Sequence, residues 1–289
     1  MLSHDLKEKV LMFQRNEITE YNVYQKLARI VKTKGQPEIL EKIAREELSH
    51  YEFFKSVSQQ EVSPDQFKVF IYVFMSKVLG LNFGLRLMEN GEQSAQDVYA
   101  QLKEKSLSIE KVAEDEKKHE LMLLDMIDEE RLKYISSIIL GLNDALVELT
   151  ATLAGFTLAL QNTKLIGIVG LITGIAAAMS MAASEYLSVK NEGVDKNPVK
   201  ASISTGLSYV FTVILLVMPY FLLNNIFVCL SLAIGSALLI ILGFTFYISV
   251  AKNLDFRKRF LEMAGLSLGI ATITFFIGMF VRNFFGVSV

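Results

Sequence analysis

The stretch EKIAREELSH, residues 41–50, holds Glu47 and His50 three positions apart in a segment free of Gly and Pro. One helical turn brings residues i and i+3 onto the same face. In a Glu-rich region a single pair of this kind is usually a solvated charge pair. A second copy changes the reading. EDEKKHE, residues 114–120, repeats the spacing with Glu116 and His119, so two of the chain's three histidines follow a Glu by three. Two further segments supply carboxylates: Glu17 or Glu20 in RNEITEY (15–21), and Glu89 or Glu92 in MENGEQ (88–93).

Working outward, residues 1–131 read as helices with few breaks. Leu, Ile, Val, Phe and Tyr recur with heptad-like spacing over 5–33. KGQP (34–37) ends the first helix, with Gly past its end and Pro at the start of the next. The second helix covers about 37–60 and VSP (62–64) breaks it. A third is predicted over about 65–104, with Asn90-Gly91 as a point of interruption, and a fourth over about 107–131. No Gly or Pro lies between Glu92 and Leu140, so the fourth helix is predicted to run on into the next segment. A Glu from each of two helices and Glu-x-x-His from the other two is the inventory of a ferritin-like di-iron four-helix bundle. Carboxylates neutralise and bridge two divalent cations, and imidazoles suit iron. The apolar stretch 67–85 leaves too few residues between Lys68 and Lys77 to cross a bilayer. It reads as a buried crossover helix, or as one packed on the membrane face or on a second subunit.

Glu17, Glu47-x-x-His50, Glu89-x-x-Glu92 and Glu116-x-x-His119 resemble the ligand set of the rubrerythrin branch of ferritin-like proteins, in which the third helix contributes two carboxylates. The resemblance covers 1–131. It implies a di-iron centre held by Glu17, Glu47, His50, Glu89, Glu92, Glu116 and His119. Rubrerythrins proper also carry a cysteine-ligated iron site, for which this chain offers only Cys229.

The C-terminal half has a different character. Residues 134–289 carry 9 Lys and Arg against 7 Asp and Glu, and residues 1–133 the other 20 and 24. This balance argues against a nucleic-acid partner, which needs a basic surface. A helix needs about 20 mostly apolar residues to cross a bilayer. Five segments qualify: 135–160, 165–188, 202–222, 226–250 and 264–285. Five such runs with short links are unlike the core helices of a soluble protein. The links at 189–201 and 251–261 carry Lys190, Lys196, Lys200, Lys252, Arg257, Lys258 and Arg259, and the opposite side only Lys164 and Arg282. By the positive-inside rule the basic links are cytoplasmic. The N-terminal domain is then cytoplasmic, the C-terminus outside, and the expected location the plasma membrane of a prokaryote. The N-terminus shows no pattern of a cleaved signal peptide. The lone Cys229 offers no internal disulfide.

Carboxylates inside a span are costly and mark function by default. Asn143, Asp144 and Glu148 lie in the first span, with Asp144 and Glu148 four apart on one face. Met181 and Glu185 have the same spacing in the second. Asp144 lies deep, whereas Glu185 is near the cytoplasmic end. These side chains read as a ladder for a divalent cation, with the thioether favouring a softer metal over magnesium. The plain alternatives are an interfacial anchor for Glu185 and packing for Met181.

ILGLNDALVE (139–148) and AAAMSMAASEYLSVK (176–190) resemble the two signature stretches of the vacuolar iron transporter family, and the resemblance covers 134–289. It implies five-span export of Fe2+ from the cytosol in exchange for protons, a homodimer, and Asp144, Met181 and Glu185 as transport residues. Two departures stand out. Ser184 stands where the family usually has Gly, and Ala145–Glu148 stands where it has a Gly-rich stretch. The link after the second span also lacks the Glu-rich insert of many members. The fusion of the two parts resembles the membrane-bound ferritin group. The expectation is an all-α protein, a cytoplasmic ferritin-like bundle (1–131) followed by a five-helix membrane domain (132–289). It would export Fe2+, with Mn2+ as a second substrate, and iron would be the bundle's cofactor. Ferroxidase activity in the bundle is left open. The rival is a membrane-anchored di-iron ferroxidase or peroxidase.

Overall fold

The computed structural model describes residues 4–89, 107–126, 129–193, 196–252 and 254–285. Among these the chain is helix and loop, without a strand. It divides into two compact units, Met1–Asp128 and most of residues 129–289.

The first unit contains α1 (His4–Ile30), α2 (Gln36–Ser58), α3 (Gln66–Leu79), α4 (Leu81–Glu89) and α5 (Leu107–Asp125). Gly35, at φ 88°, precedes α2 and Pro37 occupies its first turn, as the KGQP motif predicts. The Asp65 carboxylate starts α3 by accepting from the backbone N–H of Phe67 and Lys68, both at 3.0 Å. The core joins Val23, Tyr24 and Leu27 of α1, Leu40 and Ile43 of α2, and Val69, Leu85 and Leu123. Gln14 is fully buried and ties α1 to the loop after α2. Its Nε2 donates to the Gln60 carbonyl at 2.9 Å and its Oε1 accepts from Ser58 Oγ at 2.7 Å.

Three sequence expectations need correction here. The single third helix over 65–104 is broken at Gly80, whose φ of 98° and ψ of 153° no L side chain adopts readily. The chain then folds back closely enough that a Cβ on Gly84 would collide with Ser76. Asn90-Gly91 itself lies outside the described residues. The 67–85 stretch is also not a buried crossover. Val69, Ser76, Phe83 and Leu85 are buried, but Phe67, Phe70, Phe74 and Val78 face outward, which excludes the fully buried reading alone. Nor does the last helix of this unit run on unbroken. It ends at Asp125, where the Met126 N–H bonds back three residues to Leu123 O at 3.2 Å, a tightened last turn.

The second unit is built from α6 (Glu129–Leu160), α7 (Thr163–Glu192), α8 (Pro198–Leu222), α9 (Ile226–Lys252) and α10 (Phe256–Phe285). All five are long and apolar enough to cross a membrane. Ile172, Met179, Leu207, Phe211, Leu239 and Phe280 point outward, a surface suited to lipid. This is an integral membrane protein.

Lipid gives helices no hydrophobic reason to associate, so close packing and hydrogen bonds must hold them. Here α6 is the hub, packed against α7, α8 and α10. Hydroxyls on neighbouring helices donate to its carbonyls: Thr205 to Ser137 at 2.9 Å, Ser267 to Leu146 at 2.9 Å and Thr274 to Ala151 at 2.7 Å. Glycines make the approach possible. A Cβ on Gly141 would meet the Thr205 carbonyl, and one on Gly278 would meet the Gly155 carbonyl. Backbone cannot yield as a side chain does. Gly278→Ala is therefore expected to cost about 1–3 kcal/mol, the usual penalty of overpacking. Gly265→Ala, with nothing near its Cβ, should be silent. Thermal unfolding in detergent compares the two.

Candidate metal centre and intramembrane carboxylates

Glu17 from α1, Glu47 and His50 from α2 and Glu116 from α5 each offer a ligand atom, and these four atoms lie within 4.8 Å of one another. The helix period explains the convergence. Glu47 and His50, like Glu116 and His119, occupy one face of their helix, and both faces turn inward. Glu47 is 1% exposed, His50 4% and His119 2%, far below the norm for charged groups.

The two imidazoles face the cluster through Nδ1. His50 Nδ1 lies 3.2 Å from Glu116 Oε1, 3.4 Å from Glu47 Oε2 and 3.6 Å from Glu17 Oε2. His119 Nδ1 lies 3.0 Å from Glu47 Oε1 and 4.0 Å from Glu116 Oε2. Glu47 thus stands between both histidines, whose ring centroids are 5.8 Å apart.

Both Glu47 oxygens, both His50 nitrogens and His119 Nδ1 are buried without a hydrogen-bond partner. Each orphaned polar atom costs about 1–3 kcal/mol, so such atoms are rare singly. Both Glu47 oxygens and the Nδ1 atoms of His50 and His119 converge, and a cation among them would relieve all four, whereas His50 Nε2 is on the far side of its ring, toward Asp115. The donors are carboxylate oxygens and imidazole nitrogens, a set that fits a divalent transition metal such as iron or manganese.

The far nitrogens have their own acidic neighbours. His119 Nε2 is 2.7 Å from Glu46 Oε2, and His50 Nε2 is 3.7 Å from Asp115 Oδ2. Glu46 and Asp115 immediately precede Glu47 and Glu116; Glu46 hydrogen-bonds the histidine of the other helix, whereas Asp115 is only an ion-pair neighbour of His50, too far for a hydrogen bond. Sequence reasoning passed over both. The available signal was the acid directly before each Glu-x-x-His. A hydrogen-bonded partner such as Glu46 fixes the ring and raises its basicity.

Without metal, protons and charges compensate within the cluster. Burial opposes a charge on His50, but Glu116, Glu17 and Glu47 outweigh it and push the imidazole up to about 12. Burial likewise raises Glu47, yet His119, His50 and Glu17 draw it down to about 2. Burial, and then the neighbouring carboxylates, hold Glu17 and Glu116 above the usual range. The signs give a pH profile. The stabilisation from Glu47 is complete above 4.5 and fades as pH falls toward 2. That from His50 is complete below 6.5 and fades as pH rises toward 12. Glu17 and Glu116, held above their ordinary value, add stability that fades as pH rises past 4.5, so metal-free protein is expected to be most stable near 4.5. The gain in unfolding temperature on adding metal should grow steadily as pH rises toward 12, because metal must displace the His50 proton. Melting curves with metal and with chelator, across pH, check this.

Of the other expected ligands, Glu20 is buried on α1 but stands outside the group of four. Glu89 closes α4, with its side chain outside the described residues, as is all of Glu92.

In the second unit the carboxylates occupy successive levels. Glu185 on α7 is buried, and its Oε1 accepts from Ser137 Oγ of α6 at 2.6 Å. Asp144, half-buried, follows Ser137 by seven residues on the same face of α6, about 10 Å further along the axis. Glu148 is one turn beyond and accepts from Tyr209 OH of α8 at 2.9 Å. Met181, one turn from Glu185, is half-buried against the helix core, whereas Met179 points outward. Among the described residues these groups do not gather into one cluster as the bundle's do. Tyr209 was not singled out in the sequence, because nothing local to α8 marks it as the partner of a carboxylate on α6.

Fold and sites define a helical domain with a buried Glu/His cluster consistent with a metal site, joined to an integral membrane domain with carboxylates in its spans. The two parts have recognisable relatives. Residues 12–127 match the Rubrerythrin family and residues 135–194 match the VIT family, so the chain is a rubrerythrin domain followed by a VIT family region. The VIT family is one of iron and manganese transporters. No curated protein and no solved structure matches the chain.

Proposed function

We propose that the protein exports Fe2+, and Mn2+ as a second substrate, from the cytosol of a prokaryote in exchange for protons, and that its cytoplasmic bundle captures, senses or oxidises iron. The observation that carries this reading is the series of carboxylates at successive levels of two adjoining spans, Glu185, Asp144 and Glu148. A dication stripped of water needs anionic oxygen at each level it passes. Carboxylates also accept protons, so protonation on one side releases metal there, the chemical requirement of antiport. The Met181 thioether biases the path toward transition metals over magnesium. The seven basic residues of two links, against two on the opposite side, support a cytoplasmic bundle.

In the bundle, Glu17, Glu47, His50, Glu116 and His119 would hold iron, with Glu89 and Glu92 as further ligands. Bound iron would supply redox and Lewis-acid chemistry. Glu46 keeps the His119 imidazole turned inward, and the buried carboxylates provide the negative charge that retains a dication. A membrane-anchored ferroxidase or peroxidase would draw on the same cluster, but an anchor needs one span rather than five and has no use for Asp144 at depth.

The deciding experiment is Fe2+ flux into proteoliposomes under an imposed pH gradient, with oxygen consumption followed in parallel. Flux that tracks the gradient supports the antiporter. A folded, iron-loaded bundle with no flux under any gradient, and oxygen consumed on adding Fe2+, identifies the anchored enzyme instead.

A further inference from the structure

Glu185 already has a cation. Its Oε1 accepts from Lys196 Nζ at 3.0 Å, beside the 2.6 Å bond from Ser137. Each side chain of this ion pair is only 10% exposed. Lys196 Nζ also donates to Ser136 Oγ at 3.3 Å. The placement of Lys196 is built into the fold. The next residue, Asn197, caps α8 by accepting from the N–H of Val199 at 2.9 Å and of Lys200 at 3.2 Å. The Asn197 N–H donates to Tyr134 OH of α6 at 3.1 Å. The residue before the cap is thereby held beside the start of α6, where Ser136 and Ser137 lie.

Resting on the reading of Glu185 as a transport ligand, we infer that the Lys196 ammonium is a tethered competitor for the transported cation. It occupies Glu185 in the empty protein and must leave before a dication binds. An ammonium and a dication cannot share one carboxylate oxygen in a poorly screened site, because their mutual repulsion is strong there. Binding of one therefore weakens binding of the other, and by the same factor.

Three consequences follow from the chemistry. Glu185 is never a buried charge without a partner, a state that is strongly unfavourable. Free sodium or potassium gains nothing by replacing one single charge with another, and a tethered group competes at a high effective concentration. A dication gains more from the carboxylate and is selected. Finally, the site fills only when the metal concentration overcomes the lysine, which sets a threshold. Lysine suits this task better than arginine. Its compact ammonium sits on a flexible stem that swings to water, whereas a guanidinium fork grips both carboxylate oxygens.

The test uses the full chain in detergent and in proteoliposomes, with anaerobic Fe2+ as the probe. Amine labelling read by mass spectrometry at Lys196 is expected to rise several-fold at saturating Fe2+. In flux assays Lys196→Met, which keeps the stem and removes the charge, is expected to lower the KM for Fe2+ about tenfold. Lys196→Arg should not lower it. Labelling that ignores saturating Fe2+ overturns the proposal, whether or not the Met variant folds. So does an unchanged or higher KM in a folded Lys196→Met. In both cases loss of flux in Glu185→Gln leaves the transport reading standing. Normal flux in Glu185→Gln removes that reading and the proposal with it.

Discussion

Proteoliposomes carrying Asp144→Ala are expected to show no Fe2+ flux above background, while the purified variant keeps the iron content of the unaltered protein. Asp144 lies about two helical turns along α6 from the level of Glu185. Without it, a dication crosses that interval with no anionic group at the Asp144 level. Leaving a buried charge unpaired costs about 3–5 kcal/mol. At about 1.4 kcal/mol per factor of ten, this slows passage by roughly 100- to 1,000-fold or more. Asp144→Glu retains the charge on a longer stem and should keep part of the flux. The iron content serves as the control, because the bundle's ligands come from α1, α2 and α5 and Asp144 is on α6. Normal transport by Asp144→Ala would remove Asp144 from the pathway. Loss of bundle iron as well would mean that the substitution damages the whole protein.

Glu47→Gln should have the opposite phenotype at the metal centre. It keeps the size of the side chain and removes its charge at 1% exposure, between His50 Nδ1 at 3.4 Å and His119 Nδ1 at 3.0 Å. Loss of an outer partner of a ligand costs about 10–100-fold in metal affinity. Loss of a carboxylate that serves both imidazoles should exceed this, so the expected drop is more than about 100-fold. Glu46→Ala, which touches only the far nitrogen of His119, should fall within the outer-partner range. Metal titration of chelator-stripped protein separates the two. If Glu47→Gln and Glu46→Ala weaken binding equally, Glu47 is not a ligand. Equal binding by Glu47→Gln and the unaltered protein would move the metal site elsewhere.

Much of the fold is legible in the sequence. The five spans follow from length and apolarity alone, because backbone in lipid must close its hydrogen bonds within a helix. Glu47 and His50, or Glu116 and His119, share a face by the helix period, which depends on nothing outside the segment. The breaks were less legible. Gly35 and Pro37 are adjacent signals that reinforce each other, and the helix start was read correctly. Gly80 is a lone glycine in an apolar run, and its φ of 98° is chosen by the fold-back of α4 on α3.

Which residues meet across helices was decided by tertiary structure. The sequence by itself determined the helical class, the spans, the two Glu-x-x-His faces and the likeness to two families, but not every helix boundary. The fold determined that Glu47 stands between both histidines, that Glu46 and Asp115 reach to the opposite helix, that Tyr209 bonds Glu148, and that Lys196 sits on Glu185. Periodicity along one helix is a local property. The register and approach of two helices depend on how all their surfaces pack at once, down to whether a glycine lets a carbonyl come near.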